Sequence, residues 1–255
     1  MPDTIDIHTL DLDCSDLDFS RLYALLDRDE AERSRQFSSD QLRRRYIARR
    51  GQLRELLSRY TSQSPAGIRF FCNDFGKPFV KDSGLQFNLS HSANICLFAI
   101  GRAGELGCDV ERRDPAFPSG AIARAFYAPG EVRALEMVDR SRQVEAFFNC
   151  WTRKEAYIKA RGYGISLPLD SFEVSLAPDE PAALLSGCGE WSVKSFEPAP
   201  GFQAAVVAQG TAWQLRFVDP SNNCVANLGG DPLAENHRGD DHQQDQRHLR
   251  PVELR

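Results

Sequence analysis

The chain reads as an α+β protein on three observations. A helix-period apolar stripe runs through QVEAFFNCWTRKEAYIKARG at 143–162, apolar runs between Leu85 and Val110 read as strands, and Gly/Pro breaks separate the two kinds of segment. At 255 residues it can form one large domain or two modest ones. With 26% charged and 42% hydrophobic residues it falls among ordinary globular proteins, not among disordered or fibrous ones. No apolar run reaches membrane-spanning length, and the acidic start MPDTIDIHTLDLDCSDLD lacks a signal pattern. The expected location is therefore the cytoplasm, with no membrane partner. The seven cysteines are odd in number and contain no C-x-x-C pair, so they indicate neither a zinc site nor a disulfide framework. A net charge of −5 argues against general nucleic-acid binding.

Taken in order, Ile5 to Leu12 reads as a strand, followed by a short helical pattern around Leu22, Leu25 and Leu26. The stretch ERSRQFSSDQLRRRYIARRGQLRELLSRY predicts one or two amphipathic helices with a dense arginine face. That face is either solvated or a site for a polyanion such as RNA or a small phosphorylated ligand. IRFFCNDFGKPFV reads as strand, turn and return, with Gly76 allowing a tight turn that holds Lys77 at its tip. Leu85 to Leu89 and Ile95 to Ile100 are strands separated by a polar break, Ser90-His91-Ser92. His91 there is either an ordinary loop histidine or a phosphate contact.

GRAG at 101–104 predicts a turn, with ELGCDVE as the second strand of a hairpin. Period-2 alternation puts Asp109 and Glu111 on one face, beside a Gly107 that admits close neighbours. Two carboxylates so placed are half of a hard-cation site or the solvated face of an edge strand. Arg112 to Pro115 break the chain. Residues 116–142 read as two helical pieces, and strands follow at 171–176, 191–196, 202–208 and 213–217. The tail 226–255 is polar and expected to be disordered.

In the helix at 143–162, Val144, Phe147, Phe148, Trp151 and Ile158 share one stripe, and Glu155 falls inside it. Either Glu155 forms an exposed i,i+4 pair with Lys159, or it points inward and requires a cationic partner or metal. The chain has only five lysines, and Lys154 and Lys159 flank this carboxylate.

Three stretches, FNLSHS at 87–92, GCDVE at 107–111 and WTRKEAYIKARGYGISLPLDSF at 151–172, closely resemble the 4′-phosphopantetheinyl transferases, specifically the long surfactin-synthetase-activating type. GKP at 76–78 and the Arg33 to Phe37 segment fit the same family. The resemblance implies two similar α+β lobes forming a pseudo-dimer with the active site in the cleft between them. With the break near 113, the lobes are expected at 1–113 and 114–225. It implies transfer of the phosphopantetheine arm of coenzyme A to a serine hydroxyl of an apo acyl or peptidyl carrier protein. Adenosine 3′,5′-bisphosphate would leave, and the enzyme would act as a monomer with Mg2+.

By the same resemblance Asp109, Glu111 and Glu155 hold the metal, and Lys159 contacts the pyrophosphate. Lys154 has a supporting part in cofactor binding. Ser90 and His91 contact coenzyme A phosphate, with His91 near the ribose 3′-phosphate, and Arg33 and Lys77 hold nucleotide phosphates. Glu155 or a metal-bound water is the base for the carrier serine. Two readings compete: an arginine-rich RNA-binding adaptor, and a metal-dependent phosphohydrolase using water as nucleophile.

Overall fold

One order of elements is used twice along this chain. The computed structural model describes residues 3–102, 104–187 and 189–219. The first run is β1 (Asp3–Asp11), α1 (Asp16–Tyr23), α2 (Arg28–Ser34), α3 (Asp40–Tyr60), the short β2 (Phe71–Cys72) and β3 (Pro78–Phe79), then β4 (Gln86–Ser92) and β5 (Ile95–Gly101). The second is β6 (Leu106–Arg112), α4 (Ser119–Phe126), α5 (Pro129–Met137), α6 (Gln143–Arg161), the short β7 (Glu173–Val174) and β8 (Leu184–Ser186), then β9 (Trp191–Phe196) and β10 (Phe202–Gln209). A last strand, β11 (Trp213–Phe217), follows.

The sheets repeat as well. One is ordered β11-β1-β5-β4 and the other β6-β10-β9, so in each run the first strand pairs with the last and the last with the one before it. Both pairings are antiparallel. β11 returns to the first sheet and lies parallel to β1, with Ile5 opposite Leu215. The mixed α+β class expected from the sequence is what forms.

Two local expectations need correction. The hairpin expected across Gly101 to Gly104 does not form, because β5 already has β1 on one edge and β4 on the other. β6 therefore pairs with β10, Asp109 opposite Ala205. Hydrogen bonding places β6 with the second run, so the sheets divide between β5 and β6. Ser90-His91-Ser92 is likewise no break but the end of β4, with Ser92 opposite Ile95. The expected disorder of residues 226–255 lies outside the described residues.

Each run buries its long helix on its own sheet. Ile47, Leu53 and Leu57 of α3 pack with Phe87 and Phe98, and α1 approaches so closely that a Cβ on Gly51 would lie 2.7 Å from the Cβ of Leu22. Phe147, Phe148 and Tyr157 of α6 pack with Phe172, Val193 and Val207. α6 stops at Gly162, whose φ of +66° suits glycine and ends the helical hydrogen-bond series. No helix among the described residues is long and apolar enough to cross a membrane.

The arginine face of α3 turns largely inward. Arg44 pairs with Asp16 at 2.8 Å, and Arg45 is bidentate to Asp13 at 2.7 Å for both bonds. Arg50 and Arg54 both donate to Glu30, each from Nε at 2.7 Å. Arg54 also bonds Asp27 at 2.6 Å and the Ile68 carbonyl at 2.8 Å. Glu30 in addition accepts from the Asp27 amide, closing the capping box that starts α2. All three members of the Glu30–Arg50–Arg54 group are buried. These four arginines are committed within the fold, which removes most of the face that an RNA adaptor would need.

At the outer part of the first sheet, Arg216 of β11 is bidentate to Asp6 at 2.7 and 2.6 Å. Tyr60 donates its hydroxyl proton to Asp6 at 2.7 Å, so the 2.9 Å contact between His8 Nε2 and that hydroxyl has histidine as donor. His8 Nδ1 is left buried without a partner. Burial, opposed by Asp6 but reinforced by Arg59 and Arg216, pushes the His8 pKa down to about 4.

Two predictions follow from these buried charges. Glu30→Gln leaves buried Arg50 without a carboxylate and Arg54 with Asp27 alone, and is expected to cost about 3–5 kcal/mol, read as a fall in the urea midpoint. His8 contributes no pH dependence above its unfolded value of 6.5, but below it the unfolded chain binds a proton that the fold rejects until about pH 4. Stability should thus drop by roughly 1–2 kcal/mol more between pH 7.5 and 5.5 in the parent than in His8→Asn, measured by urea unfolding at both pH values.

Candidate active site

The two sheets meet along β4 and β6, joined by side chains and not by a backbone ladder. Asn88, Ser90 and Ser92 alternate along β4 and share one face. Each reaches across: Asn88 Oδ1 accepts from the Cys108 amide at 2.9 Å, Ser90 Oγ donates to Asp109 Oδ1 at 2.8 Å, and Ser92 Oγ donates to Glu111 Oε2 at 2.7 Å. Ser92 also accepts from the Arg112 amide at 3.1 Å. These rungs set the two carboxylates of β6 at fixed heights against the first sheet.

On its other side β6 lies under α6, and Gly107 permits that contact. A Cβ there would sit 2.2 Å from the Ala160 nitrogen and 2.3 Å from the Ala156 carbonyl oxygen. With alanine on the helix and glycine on the strand, the backbones approach and the flanking Glu155 and Lys159 come down onto Asp109. Lys159 Nζ lies 2.6 Å from Asp109 Oδ1 and 2.9 Å from Ser90 Oγ. Glu155 is the inward-facing carboxylate of the two readings open in the sequence: it is half-buried and feels the charge of both Asp109 and Lys159.

The electrostatics are those of a crowded acidic group short of positive charge. Burial first, and then Asp109 and Glu155, push Glu111 up to about 7 against the opposing pull of Ser92 and Lys159. Burial and Asp109 also raise the Glu155 pKa. Against the desolvation that would lower it, Asp109 holds the Lys159 ammonium above its usual range. Asp109 Oδ2 is buried with no hydrogen-bond partner. A buried carboxylate oxygen left bare, beside two carboxylates that resist ionisation, fits a hard divalent cation. Among the described residues, no three or more His, Cys, Asp or Glu side chains are drawn together as a preformed metal cage. A cation here would therefore depend on ligands beyond the protein, as Mg2+ characteristically does.

Next to this group is an open pocket of about 180 Å³, walled by α3, the β2–β3 turn, β4 and the end of α6. Its lining includes Arg49, Arg50, Lys77 and Lys159 and no carboxylate. Lys77 does not stand at an exposed tip as expected. Its amine donates to the Ala160 carbonyl at 2.8 Å, and Asn73 donates to the Gly162 carbonyl at 3.0 Å, so the turn clamps the negative end of α6. His91 is exposed at its edge of β4, with Arg49 Nη1 2.8 and 2.7 Å from its two ring nitrogens. Surrounding protein, then Arg49, Lys159 and Arg45, push the His91 pKa down to about 4.

The structure thus brings together Asp109, Glu111, Glu155, Lys159 and Ser90, with His91 and Lys77 nearby. It withdraws Lys154 from the ligand-binding set. That side chain leaves α6 on another face, is fully buried, and pairs with Glu131 at 2.8 Å while donating to the Leu169 and Phe172 carbonyls at 2.7 and 2.5 Å. Its charge holds α5 and the segment after α6 to the helix. Arg33 is exposed on α2, bonded to Gln36 at 2.9 Å, and does not line the pocket. Arg49, Asn88 and Ser92 were not singled out from the sequence for these contacts. Asn88 and Ser92 carried a signal, the period-2 spacing with Ser90, whereas Arg49 was one of many arginines in its run.

Comparison with known proteins bears on the same residues. A family model for the 4′-phosphopantetheinyl transferase superfamily matches residues 105–207, which span β6 to β10 and include Asp109, Glu111, Glu155 and Lys159. The 4′-phosphopantetheinyl transferase HetI of Nostoc sp. (strain PCC 7120) is 35% identical over 85% of this chain and 92% of its own length. Sfp of Bacillus subtilis (strain 168), also a 4′-phosphopantetheinyl transferase, is 32% identical over 74% of this chain and 84% of its own. The Bacillus subtilis 4′-phosphopantetheinyl transferase ffp is 30% identical over 78% and 89%.

Gly107→Ala should force α6 away from β6, since backbone and not a flexible side-chain tip occupies the space. The expected result is a loss of about 2 kcal/mol or more in unfolding free energy, by analogy with overpacked cores, together with weaker binding of divalent cations followed by calorimetry.

Proposed function

The chain belongs to the 4′-phosphopantetheinyl transferase superfamily, and on that premise we propose a Mg2+-dependent transfer of the 4′-phosphopantetheine arm of coenzyme A onto a serine hydroxyl of an apo acyl or peptidyl carrier protein. Adenosine 3′,5′-bisphosphate is the leaving product, and the enzyme works as a cytoplasmic monomer. The observation that carries the reading is the meeting of Asp109, Glu155 and Lys159 beside a pocket lined by cations.

The reaction forms one bond between the serine oxygen and the phosphorus bearing the pantetheine arm, and breaks the pyrophosphate P–O bond to the nucleotide. The serine loses a proton and the leaving phosphate gains negative charge. Lys159 supplies a fixed ammonium where that charge develops, held in place by Asp109 and Ser90. Glu155, kept more basic than an ordinary carboxylate by burial and by Asp109, is suited to take the serine proton. Asp109, Glu111 and Glu155 would hold the divalent cation, which when bound supplies charge neutralisation at the pyrophosphate. Lys77 lines the pocket and His91 contacts Arg49 of its lining, where both would meet the nucleotide phosphates.

Incubation with coenzyme A, Mg2+ and a purified apo carrier protein is expected to add the phosphopantetheine mass to the carrier. Release of phosphopantetheine without that gain would indicate a hydrolase instead. Glu155→Gln should lower turnover at least about 100-fold with an unchanged melting temperature, as loss of a general base does. Near-full activity in that variant would exclude Glu155 from the proton transfer.

A further inference from the structure

α3 carries one buried cation with no counter-charge. Arg44, Arg45, Arg50 and Arg54 each reach a carboxylate. Arg49 is 6% exposed, yet no ion pair joins it to any carboxylate among the described residues. Its neighbours are the imidazole of His91 and the ring of Tyr46, whose centre lies 5.7 Å from the guanidinium carbon. Neither cancels the charge, and a guanidinium does not escape it by losing its proton. Burying an ion without an opposite charge is strongly unfavourable, so a group placed this way is built for an anion that arrives with the ligand.

The ligand's chemistry decides which anion. Coenzyme A carries negative charge in two places: the pyrophosphate, where the bond is broken, and a phosphate monoester on the ribose. On the transfer reading, the pyrophosphate belongs at Lys159, on the α6 wall of the pocket beside Asp109. Arg49 lies on the α3 wall with His91, leaving it the monoester, a dianion that matches a planar two-pronged donor. We propose that Arg49 is the anchor for the ribose phosphate monoester of coenzyme A and makes the enzyme select coenzyme A over its 3′-dephospho form. The resemblance to the family named His91 for this phosphate; Arg49 is assigned from its burial and missing counter-charge. His91, flanked by Arg49, Lys159 and Arg45 and so neutral near pH 7, serves as a second hydrogen-bonding partner and not as a competing cation.

The inference rests on the transfer reading, and the test separates the two. Steady-state kinetics with coenzyme A and with 3′-dephospho-coenzyme A are measured on one apo carrier for the parent, Arg49→Lys and Arg49→Met. Arg49→Met should raise KM for coenzyme A at least about tenfold, with kcat within about twofold and KM for the dephospho form changed less than about threefold. Arg49→Lys should fall between, since it keeps the charge and loses the fork. Ligand-free Arg49→Met should melt no lower than the parent, because it removes an uncompensated buried charge. Equal KM changes for both nucleotides, or none for either, would overturn the assignment. If Arg49→Met does not fold, Arg49→Lys decides: a KM for coenzyme A raised at least about threefold with the dephospho form unchanged upholds the assignment, and an equal change for both nucleotides or none sinks it. Should the parent modify no carrier, the transfer reading fails, and calorimetric titration of parent and Arg49→Lys with both nucleotides still tests the phosphate anchor.

Discussion

Gly107 lacks a side chain in a place that the backbone of α6 fills, and the whole candidate site depends on that contact. A strand and a helix whose backbones touch must carry small residues at the contact, here Gly107, Ala156 and Ala160. The residues next to them in sequence are then the closest charged pairs the two elements can make. Asp109, two positions along β6, meets Lys159, one position before Ala160, at 2.6 Å. The serine rungs from β4 do the complementary work: they tie β6 to the first sheet, and Ser90 bonds both Asp109 and Lys159, so the carboxylates are held where β4, β6 and α6 meet. This is pre-organisation by backbone proximity, which costs nothing further when a ligand binds.

The distribution of charge follows the same division. Cations that shape the fold are saturated by carboxylates: Arg50 and Arg54 by Glu30, Lys154 by Glu131, and Arg216 by Asp6. Charges at the pocket are under-compensated. Arg49 has no carboxylate, Asp109 has a bare buried oxygen, and Glu111 is driven up to about 7. Acidic excess on the α6 and β6 side and basic excess on the α3 side stand next to each other without closing into ion pairs. Such a separation is unfavourable by itself, and the proposed ligand, which brings both a cation and phosphates, would relieve it.

Much of this was readable in the sequence, and the failures have physical reasons. The helix at 143–161, its stop at Gly162, the two helical pieces before it and the later strands follow from periodicity and Gly/Pro signals, which are local. Periodicity puts Glu155 inside an apolar stripe and Asp109 and Glu111 on one strand face but leaves a solvated reading of each open; it is the family resemblance that singles the three out as a set. The hairpin expected at 101–104 does not form because strand pairing is not local: the partners of β6 lie about 90 to 100 residues away, and only a count of the free edges of β5 excludes the nearer strand. Lys154 misled for a similar reason. It is adjacent to Glu155 in the motif, but one residue turns a helix by about 100°, and that rotation carries its ammonium to Glu131 instead. Arg49 was hidden because its neighbours in sequence are also arginines, and burial without a counter-charge is a property of the fold alone.

The repeated order of elements sharpens the comparison between a site and a place that merely resembles one. β1 and β6 open the two runs with similar text, Ile5-Asp6-Ile7-His8 and Cys108-Asp109-Val110-Glu111, and both aspartates are buried. At Asp6 both carboxylate oxygens are taken by Arg216, and Tyr60 adds a third bond. At Asp109 one oxygen takes Lys159 and Ser90 while the other is bare. The residue two places on is a histidine held neutral in the first run and a carboxylate in the second. Equivalent backbone positions therefore carry opposite solutions: the first uses its aspartate to bind β11 and α3 into the sheet, and the second leaves its aspartate unfinished. Incomplete satisfaction of a buried carboxylate, and not the order of elements that the two halves share, is what distinguishes the half that carries the candidate site from the half that does not.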